Sequence, residues 1–244
     1  MREPDWAVVV PVKLLATAKT RLRGGAPPGV PHARLVLAMA QDTVRAALAC
    51  PVVAEVLVVT GDPAVAAALV DLGARVVPEP PPPPPMPVWL PPPVSSDGPV
   101  SSDGPDGEGA IGLNRAVGHG AGRLAGAGRW LAALAADLPA LRPDDLARAL
   151  RAAAHPGPGS GPQRGFVPDA GGTGTTLLAA PPGVPLAPGF GPGSAARHTA
   201  SGAWRLDGDW PSLRRDVDTA ADLAAAERLG LGPYTAGRLR ETVR

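Results

Sequence analysis

The chain has 244 residues, 45% of them hydrophobic, enough for one substantial core and too apolar for a disordered protein. A formal net charge of +1 and an aromatic content of 3% argue against the basic footprint and base-stacking platforms of a nucleic-acid binder, and against attraction to an anionic membrane. The one cysteine, Cys50, cannot form an internal disulfide and suits a reduced, cytoplasmic setting.

The apolar run Trp6 to Val12 contains Pro11 and is followed at once by Lys13. It is too short for a membrane span and lacks a signal-peptide cleavage pattern, so a buried first strand is expected over Ala7 to Val12. Lys13, Lys19 and Arg21 come just after it, where parallel sheets favour phosphates; the plainer reading is a solvated basic loop. No Gly-x-x-x-x-Gly-Lys-Ser/Thr run is present, and no clean Gly-x-Gly-x-x-Gly follows the strand. A helical pattern spans Ala33 to Ala49, and the apolar residues at its end make Cys50 a packing residue. A strand over Glu55 to Thr60 and a helix over Pro63 to Leu72 follow.

The stretch Pro78 to Gly109 breaks the alternation. It holds the runs Pro80 to Pro85 and Pro91 to Pro93, and the hexapeptide Val94 to Pro99 is repeated as Val100 to Pro105. Such sequence offers too little apolar area to offset its ordering entropy, so it is expected to be a disordered insertion within one domain. A polyproline ligand for an SH3-like partner is the alternative.

Beyond it the pattern resumes with a helix over Leu113 to Leu124 and a strand over Leu131 to Ala136 that ends in Asp137-Leu138-Pro139. Such an Asp serves either a turn or a metal held above the sheet. A helix over Pro143 to Ala153 and a loop over His155 to Gly161 lead to strands at Gly165 to Pro168 and Thr176 to Ala179. Between these strands lies Asp169 to Thr175, a Gly-rich turn whose N–H groups and hydroxyls suit a phosphate or carboxylate, unless it is simply a turn. In Gly189 to His198, Ser194 is expected to N-cap a helix over Ala195 to Ala200, with Gly191 and Ser194 holding phosphate at its start. His32, His119, His155 and His198 show no zinc spacing; His198 could face substrate, and the plainer reading is a solvent-facing helical residue. No Ser/His/Asp arrangement can be assembled.

The last informative stretch is Leu213-Arg214-Arg215-Asp216-Val217-Asp218-Thr219. On a strand, Asp216 and Asp218 share a face with Val217 behind them, and two such carboxylates suit a cation such as Mg²⁺. The plainer reading is a solvated Asp-x-Asp with Asp218 or Thr219 capping a helix over Ala220 to Leu229. Asp137 strengthens the metal reading, because three carboxylates could surround Mg²⁺ bridging a triphosphate. Arg214 and Arg215 are left outside the site. Alternating strands and helices predict an α/β protein with a mostly parallel sheet flanked by helices, in one domain spanning 1–244 with the insertion at 78–109.

The order of these motifs resembles the phosphoenolpyruvate/2-phospho-L-lactate guanylyltransferases of coenzyme F-420 biosynthesis, which are similar in fold to the molybdenum-cofactor guanylyltransferases. The resemblance rests on Val9 to Lys13 with Ala18 to Leu22, Leu113 to Ala116, Asp137 to Pro139, Gly172 to Thr175, Phe190 to His198 and Leu213 to Thr219. It implies a Rossmann-like nucleotidyltransferase of the nucleotide-diphospho-sugar transferase type. The implied reaction moves GMP from GTP to the phosphate of phosphoenolpyruvate or 2-phospho-L-lactate and releases diphosphate. By this resemblance Lys13, Lys19 and Arg21 meet the GTP phosphates and act in catalysis, and Asn114 lies near the nucleoside. Asp137, Asp216 and Asp218 hold Mg²⁺, while Thr175, Gly191 and Ser194 bind the acceptor. The insertion just before Asn114 departs from the family pattern at the base-binding edge. A transferase acting on molybdopterin or a phosphosugar, and a non-catalytic nucleotide-binding scaffold, are the alternatives. The acceptor, the number of metal ions and the choice between monomer and homodimer stay open.

Overall fold

The computed structural model describes residues 4–15, 22, 31–81, 105–125, 128–155 and 161–241. Its seven-stranded sheet contains β1 (Trp6–Pro11), β2 (Val53–Val59), β3 (Arg75–Val77), β4 (Trp130–Leu134), β5 (Gly165–Pro168), β6 (Thr175–Ala180) and β7 (Trp204–Arg205). They lie in the order β3-β2-β1-β4-β6-β5-β7. β6 runs antiparallel to β4 and β5, and every other pair is parallel. The helices are α1 (His32–Leu48), α2 (Pro63–Val70), α3 (Pro105–Leu124), α4 (Pro143–Ala153), α5 (Ser194–Ala200), α6 (Pro211–Arg214), α7 (Ala220–Leu229) and α8 (Pro233–Arg240).

β1 is central, and all six of its residues are buried, as expected of a parallel strand covered on both faces. Val8 and Val10 join Met39 and Val44 of α1 in the main core on one face. Ala7 and Val9 meet Ala116 and Leu124 of α3 on the other. Gly120 lets α3 approach this closely, since a Cβ there would fall 2.6 Å from Val9 Cγ1 and 2.9 Å from Val59 Cγ2. A smaller cluster of Phe166, Leu178, Phe190 and Ala195 packs beneath α5. Cys50 is buried in the main core, in keeping with a packing role.

Helix starts follow ordinary capping chemistry. Asp62 accepts from the N–H groups of Ala64 and Val65 to begin α2, and Thr219 and Asp222 form a reciprocal capping box at the start of α7. α8 is capped from far away in sequence: Asp42 of α1 accepts from Tyr234 N–H at 3.1 Å and Thr235 N–H at 2.7 Å.

Several sequence expectations need correction. β3, β7, α6 and α8 were not anticipated; β7 has two residues and α6 four, too few to show a period. α3 begins at Pro105, so residues 105–109 are helical rather than disordered, and residues 82–104 lie outside the described residues. Most of the expected loop at His155 to Gly161 also lies outside them. Residues 215–217 form an irregular connection between α6 and α7, not a strand, because Pro211 starts a helical turn and Thr219 starts the next helix. Ser194 is the first residue of α5, and Gly193 takes the preceding cap position in a left-handed conformation at φ 71°. Among the described residues no helix is long and apolar enough to cross a membrane.

Candidate active site

The strand order reverses direction at β1, between β2 and β4, and the carboxyl ends at such a switch point are where open α/β sheets bind ligands. Lys13 follows β1 and Asp137 follows β4, so the two reach this crevice from adjacent strands. A Cβ on Gly109 would lie 2.9 Å from Lys13 Nζ, so this glycine leaves room for the ammonium beside the first turns of α3. The exit of β1 is pinned by Leu15 N–H, which donates to Asp62 Oδ2 at 3.0 Å. Lys19 and Arg21 lie outside the described residues.

The turn carrying Asp137 is fastened from below and from the side. Thr43 of α1, wholly buried, accepts from Leu138 N–H at 3.0 Å, and its hydroxyl is placed to donate to Met39 C=O at 2.9 Å and Ala136 C=O at 3.2 Å. Val217 N–H donates to Asp137 C=O at 3.1 Å. That bond lays the 216–218 segment beside the Asp137 turn, although about eighty residues of chain separate them. Val217 is fully buried, Asp216 is half-buried and Asp218 is exposed, with the Asp218 N–H directed to Asp222 Oδ2 at 3.3 Å. The structure therefore brings Asp137 and Asp216–Asp218 together through the main chain. The two aspartates do not share a strand face, and among the described residues no group of three or more His, Cys, Asp or Glu is gathered so as to hold a metal ion. The donors still suit a hard divalent cation, which commonly takes one or two carboxylates and fills its shell with water and substrate phosphate oxygens.

The far wall of the crevice is built around Asp169, at the end of β5. Its carboxylate accepts from Thr173 N–H and Gly174 N–H, each at 2.9 Å, and its carbonyl accepts from Gly172 N–H at 3.1 Å. The Gly-rich turn thus spends these N–H groups on its own aspartate and does not offer them to a ligand, contrary to the sequence expectation. A Cβ at Gly174 would fall 2.4 Å from Asp169 Oδ2, which is why the turn needs glycine there. Arg214 Nη2 donates to Asp169 C=O at 3.2 Å, and Arg215 lies 3.7 Å from Asp222 in an ion pair. Arg214 therefore belongs to the structure of this wall.

Thr175, Gly191 and Ser194 converge next to this turn. Ala195 N–H donates to Thr173 C=O at 3.1 Å, which docks α5 onto the Gly-rich turn. Ser194 N–H donates to Gly191 C=O at 3.0 Å, and the serine is buried. Gly191 has φ 121°, and a Cβ there would come within 2.8 Å of Ala110 Cβ. The Gly189–Gly193 loop is clamped from three side chains. Asn114 of α3 accepts from Phe190 N–H at 2.8 Å and donates to Phe190 C=O at 3.1 Å, while Arg197 donates to Gly189 C=O at 3.1 Å and to Pro192 C=O at 2.6 Å. His198 makes the third contact.

His198 is only 1% exposed, the opposite of the solvent-facing residue expected from sequence. Its ring bonds Thr175 Oγ1 through Nδ1 and the Gly189 N–H through Nε2, each at 2.9 Å. Burial, reinforced by the nearby positive charges of Arg164 and Arg197, pushes its pKa down to about 4. Sequence reasoning missed Thr43, Asp169 and His198 as organisers of the site. Asp169 and His198 each lie within a motif visible in the sequence, the Asp169 to Thr175 turn and the Gly189 to His198 stretch, whereas Thr43 sits in a helical pattern with no such signal.

Polar groups at the switch point of a mixed but mostly parallel sheet define an α/β protein with a ligand crevice at the carboxyl ends of its central strands. A solved nucleotide-diphospho-sugar transferase from Desulfovibrio desulfuricans superposes with a TM-score of 0.52 at 14% identity, over 94% of this chain and 97% of its own, a likeness of fold. A phosphoenolpyruvate guanylyltransferase from Salinispora arenicola is 60% identical over 95% of this chain and 92% of its own length. Those from Geodermatophilus obscurus and Streptomyces coelicolor are 51% and 49% identical, over 96% and 95% of this chain and 94% of each relative. The chain belongs to the phosphoenolpyruvate guanylyltransferase family. No family model matches it.

Proposed function

We propose that the protein transfers GMP from GTP to the phosphate of phosphoenolpyruvate, releasing diphosphate, as a step in coenzyme F-420 biosynthesis. The observation that carries this reading is the 60% identity to a phosphoenolpyruvate guanylyltransferase across 95% of the chain. In the reaction an oxygen of the acceptor phosphate attacks the α-phosphorus of GTP, and the bond to the bridging oxygen of the β-phosphate breaks in line with it. Both reactants are highly anionic, so positive charge must offset their repulsion. Lys13 stands at the end of the central strand to do this for the GTP phosphates, and Lys19 and Arg21 follow it in sequence. Asp137, Asp216 and Asp218 would hold Mg²⁺, which supplies further charge compensation to the phosphates when bound. The acceptor phosphate is largely ionised at neutral pH, so the reaction needs no strong general base.

Thr175, Gly191 and Ser194 would receive the acceptor. Any nucleoside contact from Asn114 is left with the second amide hydrogen and the second lone pair of Oδ1, since one of each is engaged with Phe190. Incubation of the purified protein with GTP, Mg²⁺ and phosphoenolpyruvate tests the reading by release of diphosphate. No release with phosphoenolpyruvate, 2-phospho-L-lactate or phosphoglycerate would overturn it, and turnover only with molybdopterin or a phosphosugar would move the protein to a different acceptor class.

A further inference from the structure

Thr175 opens β6, Gly189 opens the loop before α5, and His198 of α5 reaches both. The two bonds fix the state of the ring. A main-chain N–H can only donate, so Nε2, bonded to Gly189 N–H, is the acceptor nitrogen. A neutral imidazole then carries its proton on Nδ1, and that proton is given to Thr175 Oγ1. The ring is held in this orientation between Phe166 and Phe190, with centroids 5.7 and 5.3 Å away. Because Thr175 Oγ1 accepts from His198, its own proton remains to be donated. Among the described residues that hydroxyl has no second partner. Thr175 is 7% exposed, so water has little access to it.

We propose that His198 is the positioning residue of the acceptor subsite: it commits the Thr175 hydroxyl to donate to a carboxylate or phosphate oxygen of the acceptor, and it sets the spacing between β6 and the Gly191–Ser194 wall. The assignment rests on the functional reading given above. A protonated ring would turn a second N–H toward Gly189 N–H and break the loop contact. The low pKa keeps the ring neutral across the ordinary working range. Arg164 and Arg197 are the charges that act on it, and both oppose protonation.

Steady-state kinetics on the full chain, varying GTP and phosphoenolpyruvate in turn, test the proposal. His198→Phe keeps the ring volume and removes both bonds, so the KM for phosphoenolpyruvate should rise by about tenfold or more while the KM for GTP stays within about twofold. His198→Asn retains a donor near the Nδ1 position and should recover most of that loss; His198→Gln, which places its polar end nearer Nε2, should not. A folded Phe variant with an unchanged phosphoenolpyruvate KM would overturn the proposal, as would equal rises in both KM values. If the Phe variant does not fold, Thr175→Val should raise the phosphoenolpyruvate KM by a similar factor and Thr175→Ser should not, and equal values for these two would be just as damaging. Wild-type protein that fails to turn over phosphoenolpyruvate overturns the functional reading and this assignment with it; wild-type turnover without the KM split overturns the assignment alone.

Discussion

At the scale of single residues, the acidic side of the site is organised by buried groups behind its carboxylates. Thr43 holds the main chain on both sides of Asp137, and Val217 holds Asp137 itself. Asp216, half-buried, adjoins the Val217 peptide whose N–H makes that bond, while Asp218 is exposed and directs its N–H to Asp222 in the α7 cap. Asp216→Asn should lower kcat/KM by about tenfold or more, the usual cost of disturbing a metal ligand or its support, with a smaller loss for Asp218→Asn. Near-wild-type rates in both variants would end the metal role. His198 makes a separate prediction about stability. Its proton binds near pH 6.5 in the unfolded chain and only at about 4 in the folded one, so the unfolded state holds more protons between those values. The stabilisation from the neutral ring is complete above pH 6.5 and drains away as pH falls toward 4. Melting temperatures followed across that window should decline in the wild type and decline less steeply in His198→Asn; parallel curves would contradict the buried neutral ring.

At the scale of elements, two close fits decide how the helices sit. α3 lies on the sheet at Gly120, where even a methyl group would meet Val9 and Val59. The same helix carries Asn114 to the Phe190 loop and presents Gly109 to Lys13, so its distance from the sheet sets both walls of the crevice. α8 is attached through Asp42, whose carboxylate satisfies two N–H groups of its first turn, with Gly232 pressed so close that a Cβ would fall 2.2 Å from Asp42 Oδ1. Asp42→Ala leaves those donors without their partner and should cost about 1–3 kcal/mol of stability in chemical denaturation. Amide exchange should quicken first in Pro233–Arg240, while guanylyl transfer at saturating substrate stays near the wild-type rate. Unaltered exchange in α8 would show that the cap carries little of its attachment.

At the scale of the whole molecule, the Pro-rich composition marks residues 78–109 as an insertion, and the structure shortens that span by placing Pro105 onward in α3. Replacing 82–104 with a short Gly/Ser linker should therefore keep the melting temperature within about 4 °C, whereas a deletion of 80–108 removes the start of the helix that frames Lys13. Aggregation of the 82–104 replacement would show that the segment is needed for folding. The other parts of the architecture legible in sequence were those with long, uniform patterns. The buried run of β1, the α4 and α7 patterns and the Asp137 strand end could be read directly, because each repeats one environment over several residues.

The sequence by itself determined the α/β alternation, the family and which segments carry polar chemistry, since hydrophobic period, turn residues and motif order are local properties of the chain. Only the tertiary structure decided what those polar groups do. Asp169 fills the Gly-rich turn that had looked ready for a ligand, Asn114 clamps a loop, and His198 is buried at the junction of β6 and α5. The physical reason is that a hydrogen-bonding group's function depends on which partner reaches it first, and these partners come from strands and helices that lie far apart along the chain.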